Sequence, residues 1–160
     1  MQATDDTEGA CPVLLAADAP PIPTRYQQAL ARLAVRVTAA HALPFGIQAI
    51  LTHDDHIRQL NAAYRGLDRP TDVLSFDLRS SVPQAPEVIG GEVYISVERA
   101  RHQAAEQQVG ILEELGRLLT HGILHLAGYE HRTPDQLHRM ETETVRLLQE
   151  AGFLSTQESP

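Results

Sequence analysis

Apolar positions along the chain recur with two periods, one typical of helices and one typical of strands. The clearest helical stretch covers about 24–42, where apolar residues are spaced three and four positions apart. Its apolar face consists of Leu30, Leu33, Ala34 and Val37. The same spacing predicts four further helices, at about 54–66, 97–107, 109–127 and 134–150. The helix at 109–127 is apolar over most of its length, which predicts that it lies in the core.

Four short runs of apolar or β-branched residues predict strands. These runs are 12–17, 47–52, 72–76 and 92–97. Gly90 and Gly91 are expected to precede the last strand. In the second helix, the spacing predicts that Ile57, Leu60 and Ala63 face inward. Strands and helices alternate in mixed order, so we expect an α+β fold with about four strands and five helices.

The length of 160 residues favours one domain that spans 1–160, with flexible ends at 1–9 and 155–160. A single cysteine, Cys11, excludes an internal disulfide and fits a reducing cytoplasm. The acidic N-terminus lacks the pattern of a secretory signal. No stretch approaches the roughly 20 apolar residues of a membrane span. We therefore expect a soluble cytoplasmic protein with no membrane partner.

Charge and aromatic content restrict the ways in which this chain can bind nucleic acid. The net charge is −8, and all 13 basic side chains are arginines. An acidic chain is not expected to bind DNA or RNA through a broad basic surface. Aromatic residues make up 4% of the chain, so a row of rings that stacks exposed bases is not expected. Any RNA binding must rely on local positive charge and a metal ion.

The most informative stretch of the sequence is a group of three histidines with a glycine between the last two. His121 and His125 are four residues apart on a predicted helix, so they project from the same face. Gly128 can take the left-handed conformation that reverses the chain and returns His131 to the same point. Three neutral imidazoles with an open fourth position are typical of a catalytic zinc site. The spacing therefore predicts one zinc ion at these histidines.

Gly122 separates this motif from a known class of zinc peptidases. The spacing of the histidines equals that of the metzincin signature H-E-x-x-H-x-x-G-x-x-H, in which the glutamate is the general base. Gly122 occupies the position of that glutamate. The metal geometry is thus retained without the peptidase base, which disfavours peptide hydrolysis by that mechanism.

A second segment, 61–76, has the sequence N-A-A-Y-R-G-L-D-R-P-T-D-V-L-S-F. Gly66 and Pro70 constrain it to a tight connection between a helix and a strand. It presents Arg65 and Arg69 on a short path, together with two aspartates. Such charges are equally typical of a surface turn in which acids and arginines pair with one another.

Taken together, segment 61–76, the motif H-G-I-L-H-L-A-G-Y-E-H at 121–131 and G-E-V-Y-I-S at 91–96 resemble the YbeY family. These proteins are bacterial endoribonucleases and rRNA maturation factors. The resemblance extends from about Val13 to Phe153. It implies a metalloprotease-like (zincin-like) fold with one mixed sheet. It also implies single-strand-specific, metal-dependent cleavage of RNA in 16S rRNA 3′-end maturation and ribosome quality control, with the small ribosomal subunit and its proteins as partners.

The resemblance also implies roles for individual residues. His121, His125 and His131 are the expected zinc ligands, Arg65 and His121 the expected catalytic residues, and Arg65 and Arg69 the expected RNA contacts. Glu130 stands where the family commonly has aspartate. It is a candidate for orienting a metal ligand from outside the ligand shell, and equally for a solvated acid.

We expect the metal to activate the attacking group or polarise the phosphoryl oxygen, while Arg65 stabilises the developing negative charge. The attacking group is either water or the RNA 2′-hydroxyl, and the sequence does not choose between them. One alternative is a zinc peptidase that takes its base from elsewhere, such as Glu130. Another is a non-catalytic ribosome-assembly factor with a structural metal, for which His138 is the nearest spare ligand.

Overall fold

The computed structural model describes residues 12–83, 85 and 87–154. The predictions of flexible ends at 1–9 and 155–160 fall outside these residues, as does Cys11. Within them the chain forms four strands and five helices, which confirms the α+β class. In chain order the elements are β1 (Val13–Leu15), α1 (Thr24–Ala40), β2 (Gly46–Thr52), α2 (Asp54–Arg65), β3 (Val73–Asp77), β4 (Ile89–Ser96), α3 (Val97–Gln107), α4 (Ile111–Leu126) and α5 (Pro134–Glu150).

The strands form one mixed sheet in the order β1-β2-β4-β3. β1 pairs with β2 and β2 with β4 in parallel, whereas β3 is antiparallel to β4. β3 is therefore an edge strand, with one side left free for a neighbour other than a strand. This free side faces the functional cleft described below.

The two faces of the sheet are covered by different helices. Alternate side chains of a strand point to opposite faces. On β3, Ser75 lies against α4, where its Oγ donates a hydrogen bond of 2.8 Å to the carbonyl of Gly122. The next residue, Phe76, lies against Tyr64 of α2 with 5.5 Å between ring centroids. Accordingly α4 covers one face of β3 and α2 the other.

The core lies between α4 and the sheet, as the apolar length of this helix predicts. Fully buried α4 side chains include Leu115, Leu118, Leu119, Ile123 and Leu124. Around this helix pack α1, α3 and α5. Among the described residues, no helix combines the length and apolar character required for crossing a bilayer.

Helix α4 packs tightly against the sheet at Gly122. A Cβ atom added there would lie 2.6 Å from Cγ1 of Val93 and 3.0 Å from Oγ of Ser75. Both distances are shorter than an ordinary van der Waals contact, so only glycine fits without displacing β3 or β4. The packing of the fold, in addition to any chemistry, thus requires glycine at this position.

Two expectations about side-chain placement were wrong. Gly90 and Gly91 do not precede the last strand but lie within it, because Phe45 and Leu126 pack over them where a Cβ atom would fall. Ala63 is exposed rather than inward, because α2 buries Ile57 and, one turn later, the polar Asn61. The inward face of α2 is consequently rotated towards the connection to β3.

Candidate metal centre

The structure brings His121, His125 and His131 together, as their spacing predicts. One ring nitrogen from each histidine lies within 4.8 Å of the others. The Nε2 atoms of His121 and His125 are 3.1 Å apart. Two nitrogens that each lie about 2.0–2.1 Å from one tetrahedral ion are roughly 3.3 Å apart, so this pair fits a metal ion.

The third histidine reaches this position through a turn at the end of α4. Gly128 has φ of +104°, a conformation that L side chains rarely adopt. Backbone hydrogen bonds from Gly128 to the His125 carbonyl and from Tyr129 to the Leu124 carbonyl, both 3.0 Å, close the turn. The chain thereby folds back over the last turn of the helix and returns His131 to the other two histidines.

The same turn fixes the protonation of His125. Its Nδ1 lies 3.1 Å from the carbonyl oxygen of Tyr129. A carbonyl can only accept, so Nδ1 carries the hydrogen and Nε2 keeps its lone pair. A metal-binding histidine is commonly oriented by such a hydrogen bond from its second nitrogen. His125 is therefore held in the tautomer that can bind a metal.

Burial keeps two of the histidines neutral. Removal from water lowers the pKa of His121 to about 4, with the neighbouring histidines adding to the shift and the charge of Asp72 opposing it. Burial also lowers the pKa of His125, and the positive charge of Arg65 contributes. A neutral imidazole is the form that donates its lone pair to a metal. Near pH 7 these two side chains are therefore ready to bind one.

A cleft of about 790 Å³ opens beside the histidines. One wall is the end of α4, and the other is the α2–β3 connection with the free edge of β3. Polar side chains on this second wall are Asn61, Arg65, Arg69, Thr71, Asp72, Ser75 and Asp77. The two segments that the sequence singled out separately therefore form a single concave site.

Arg65 is positioned by the edge strand. Its Nη2 donates a hydrogen bond of 3.1 Å to the backbone carbonyl of Ser75, and the Ser75 hydroxyl is bonded to α4. Within the described residues Arg65 and Arg69 have no carboxylate partner, whereas Arg58 pairs with Asp68. The interpretation of segment 61–76 as a turn of self-paired charges therefore does not hold for these two arginines.

Asn61 organises the wall that carries Arg69, and sequence reasoning missed it. This side chain is 3% exposed, and its Nδ2 donates a hydrogen bond of 2.9 Å to the Arg69 carbonyl. The backbone carbonyl of Asn61 accepts a hydrogen bond of 3.2 Å from the backbone N–H of Leu67, just past Gly66 in the left-handed conformation. A polar residue on the predicted inward face of α2 was the available signal.

Asp72 adds a carboxylate to the same wall. Its Oδ2 accepts a hydrogen bond of 3.3 Å from Nε2 of Gln103 on α3. The negative charge of Asp72 acts on His121 across the cleft, in the direction that raises the histidine pKa. The cleft thus contains two acids among its arginines and histidines, Asp72 and Asp77, of which Asp77 pairs with Arg79.

The other predicted site residues lie at the edge of this arrangement. Glu130 is half-exposed and pairs with Arg132 at 3.3 Å. The atom that orients His125 is the Tyr129 carbonyl, and the role suggested for Glu130 stays a prediction. His138 is exposed on α5 and does not belong to the histidine group found among the described residues.

Comparison with known proteins gives one consistent result. Residues 18–152 match the family model described as Endoribonuclease YbeY. A protein of that name from Heliobacterium modesticaldum is 40% identical over 117 residues, covering 67% of this chain and 70% of the relative. One from Brevibacillus brevis is 32% identical over 146 residues, which cover 83% of this chain and 91% of the relative.

A solved structure supports the fold. The solution structure of a Thermotoga maritima protein superimposes with a TM-score of 0.56 at 25% sequence identity. The match covers 88% of this chain and 90% of that protein. The arrangement of strands and helices described above therefore occurs in an experimentally determined structure.

Proposed function

The chain belongs to the YbeY family, and from this premise we propose that it is a metal-dependent endoribonuclease that cleaves single-stranded RNA. The observation that carries the proposal is the cleft in which three histidines face an arginine that has no acid partner among the described residues. Phosphodiester cleavage needs positive charge at the reacting phosphate, and in this cleft Arg65, Arg69 and a metal ion bound by the histidines would supply it.

Zinc is the metal we propose for the three histidines. The donor set is three imidazoles, two of them kept neutral by burial, which suits Zn²⁺ better than the oxygen-preferring Mg²⁺ or Ca²⁺. When bound with an open position, zinc acts as a Lewis acid and lowers the pKa of water to roughly 7. His121, His125 and His131 hold the ion, and the Tyr129 carbonyl keeps His125 in the binding tautomer.

The arginines bind the RNA backbone. In this proposal the guanidinium of Arg65 contacts the scissile phosphate and stabilises the negative charge that develops on its oxygens, which its hydrogen bond to the Ser75 carbonyl supports. Arg69, whose carbonyl is hydrogen-bonded by Asn61, contacts a neighbouring phosphate. Either water or the RNA 2′-hydroxyl serves as the attacking group.

The zinc-peptidase alternative loses support from the packing at Gly122. That position of α4 points at Val93 and Ser75 rather than into the cleft, and has no room for a side chain. A peptidase base would have to come from elsewhere, and Glu130 is engaged by Arg132. The assembly-factor alternative needs a fourth ligand, and His138 lies outside the histidine group.

For the biological setting, we propose 16S rRNA 3′-end maturation and ribosome quality control in the cytoplasm. The net charge of −8 offers little general attraction for RNA, so affinity must come from the cleft or from a ribosomal protein. The small ribosomal subunit and its proteins are the partners that this setting implies.

The direct test is cleavage of a precursor RNA that spans the small-subunit rRNA 3′ end. Wild type, His121→Ala and the control His138→Ala are purified identically, and their metal content is measured. We expect wild type and His138→Ala to hold about one zinc and to cut, and His121→Ala to do neither. Equal cleavage by wild type and His121→Ala would reveal a contaminating nuclease. A wild type that holds zinc but cuts no RNA would favour the assembly factor.

The attacking group is determined with the same RNA carrying a single 2′-deoxynucleotide. If the 2′-hydroxyl attacks, placing this nucleotide on the 5′ side of the cleaved bond abolishes that cut. If water attacks, the cut persists.

A further inference from the structure

Tyr64 is an aromatic side chain that contributes little to the core. It is 72% exposed, the largest exposed fraction among the large apolar residues of the described chain. The other exposed large apolar residues of the described chain are all aliphatic: Leu14, Leu67, Leu137 and Val145. A tyrosine normally buries most of its ring, since the ring carries a large apolar surface. An isolated exposed ring is common, so its surroundings must decide whether it has a role.

The first relevant feature of these surroundings is the position of Tyr64 next to Arg65. It precedes Arg65 at the end of α2 and contacts Phe76 of β3. Ser75 and Asp77, the chain neighbours of Phe76, both line the cleft, as does Leu67, which is 41% exposed. Tyr64 is not one of the residues that line the cleft, but it directly precedes Arg65, the lining residue to which we assign the phosphate.

The Tyr64 ring also packs on one side against other aromatic rings. Tyr64 and Phe76 meet at an interplanar angle of 72°, and Phe76 meets Tyr94 at 86° with 5.6 Å between centroids. Phe76 and Tyr94 are half-buried side chains of the sheet. Such a near-perpendicular contact covers at most one face of the Tyr64 ring, so the other face is open. A ring fixed on one side and open on the other loses little entropy when a flat group stacks on it.

We propose that Tyr64 is a stacking platform for one unpaired base of the RNA, next to the phosphate bound by Arg65. This inference rests on the endoribonuclease function proposed above and goes beyond it by naming a residue that selects unpaired RNA. Aromatic rings bind bases of single strands by stacking, whereas the bases of a duplex are already stacked on one another. One platform, rather than a row, also agrees with the low aromatic content of the chain.

The test compares four variants in cleavage rates and in binding of a fluorescein-labelled single-stranded RNA, measured by polarisation. Tyr64→Phe keeps the ring, Tyr64→Leu keeps apolar surface without it, and Tyr64→Ala removes both. Leu14→Ala is the control, because Leu14 is 48% exposed on β1, at the opposite edge of the sheet. Thermal unfolding and zinc content are recorded for each.

We expect Tyr64→Ala and Tyr64→Leu to raise KM and the dissociation constant about 5- to 100-fold with little change in kcat, as loss of one stacked base predicts. Tyr64→Phe and Leu14→Ala remain within about threefold of wild type. A set of RNAs, each with one abasic nucleotide, then locates the base: wild type binds one of them weakly, and Tyr64→Ala does not distinguish that RNA from the intact one.

Three outcomes would overturn the inference: wild-type affinity in Tyr64→Ala, wild-type affinity in Tyr64→Leu, or no abasic position to which wild type responds. If wild type cuts RNA in those cases, the proposed function stands without the platform. If wild type cuts no RNA but binds it in a Tyr64-dependent way, the platform stands and the cleavage proposal fails.

Discussion

At the scale of single residues, the arginines differ in what balances their charge. Arg58 and Arg79 pair with Asp68 and Asp77, so their charge is locally compensated. Arg65 is hydrogen-bonded to a backbone carbonyl and has no acid partner in the described part of the chain. A guanidinium in this state keeps its full charge for an anionic ligand, which makes it the most sensitive single position outside the histidines.

Replacing Arg65 by glutamine should therefore reduce activity without reducing stability. Loss of a charged donor at the reacting phosphate typically costs about 10²- to 10³-fold in kcat. The slope of log affinity against log salt should decrease in magnitude by about 1, the value for one lost phosphate contact. The measurements are kcat/KM and the slope of log affinity against log salt. The matched control is Arg58→Gln on the same helix, which should retain wild-type activity; a similar loss there would mean that Arg65 has no special role.

At the scale of secondary-structure elements, two glycines shape the same site in different ways. Gly122 lets α4 lie against β3 and β4, which fixes the distance between the histidines and the edge strand. Gly128 ends the reversal of the chain with φ of +104°. The first acts through close packing and the second through backbone conformation, so substitutions at the two positions should have different consequences.

Gly122→Ala should lower the free energy of unfolding by about 1–2 kcal/mol. Overpacking against Val93 typically costs about 1–3 kcal/mol, and the gain in helix propensity returns up to about 1 kcal/mol. Chemical denaturation measures the change. In a Val93→Ala background the methyl group of the new alanine at position 122 has more room, so Gly122→Ala should lower the free energy of unfolding by less than it does in wild type. Equal costs in both backgrounds would show that Val93 is not the obstacle.

Gly128→Ala should weaken zinc binding as well as stability. The φ of Gly128 is unfavourable for alanine by about 1–3 kcal/mol, and relaxing this strain moves His131 away from the other ligands. Gly152→Ala is the control, because Gly152 has a positive φ of +77° at the end of α5. Both variants should lose stability, but only Gly128→Ala should lose zinc affinity in a competition assay with a chelator. Equal zinc affinity in the two would contradict the role given to this turn.

At the scale of the whole molecule, the site joins parts of the chain that are distant in sequence. The end of α2 and its connection to β3 supply the arginines, and the end of α4 with the turn after it supplies the histidines. A metal ion held by the histidines binds the native state and finds no such arrangement in the unfolded chain. Metal binding should therefore stabilise the whole domain.

Removal of the metal should lower the melting temperature. At a free metal concentration about 100 times the dissociation constant, binding adds about 2.7 kcal/mol, which corresponds to roughly 5–10 °C for a domain of this size. Calorimetry with and without a chelator measures the shift. His121→Ala should melt at the same temperature in both conditions. A wild type that is equally insensitive to chelator would contradict metal binding at this site.

Features that depend on residues close together along the chain could be predicted from the sequence. The helical repeat places His121 and His125 on one face, and Gly128 permits the turn that returns His131, all within eleven residues. Helical periods and runs of apolar or β-branched residues likewise predicted the strands and helices of the described residues, because both depend on local backbone geometry. For these reasons the group of three histidines and the α+β class could be predicted without coordinates.

The tertiary structure adds what depends on contacts between distant segments. It brings Arg65 and the histidines to one cleft, hydrogen-bonds Asn61 to the wall that carries Arg69, and leaves Tyr64 exposed next to Arg65. It also showed that Gly122 is required by Val93 of another strand. No local pattern contains this information, because burial, packing distance and the pairing of charges are fixed only when the helices and the sheet meet.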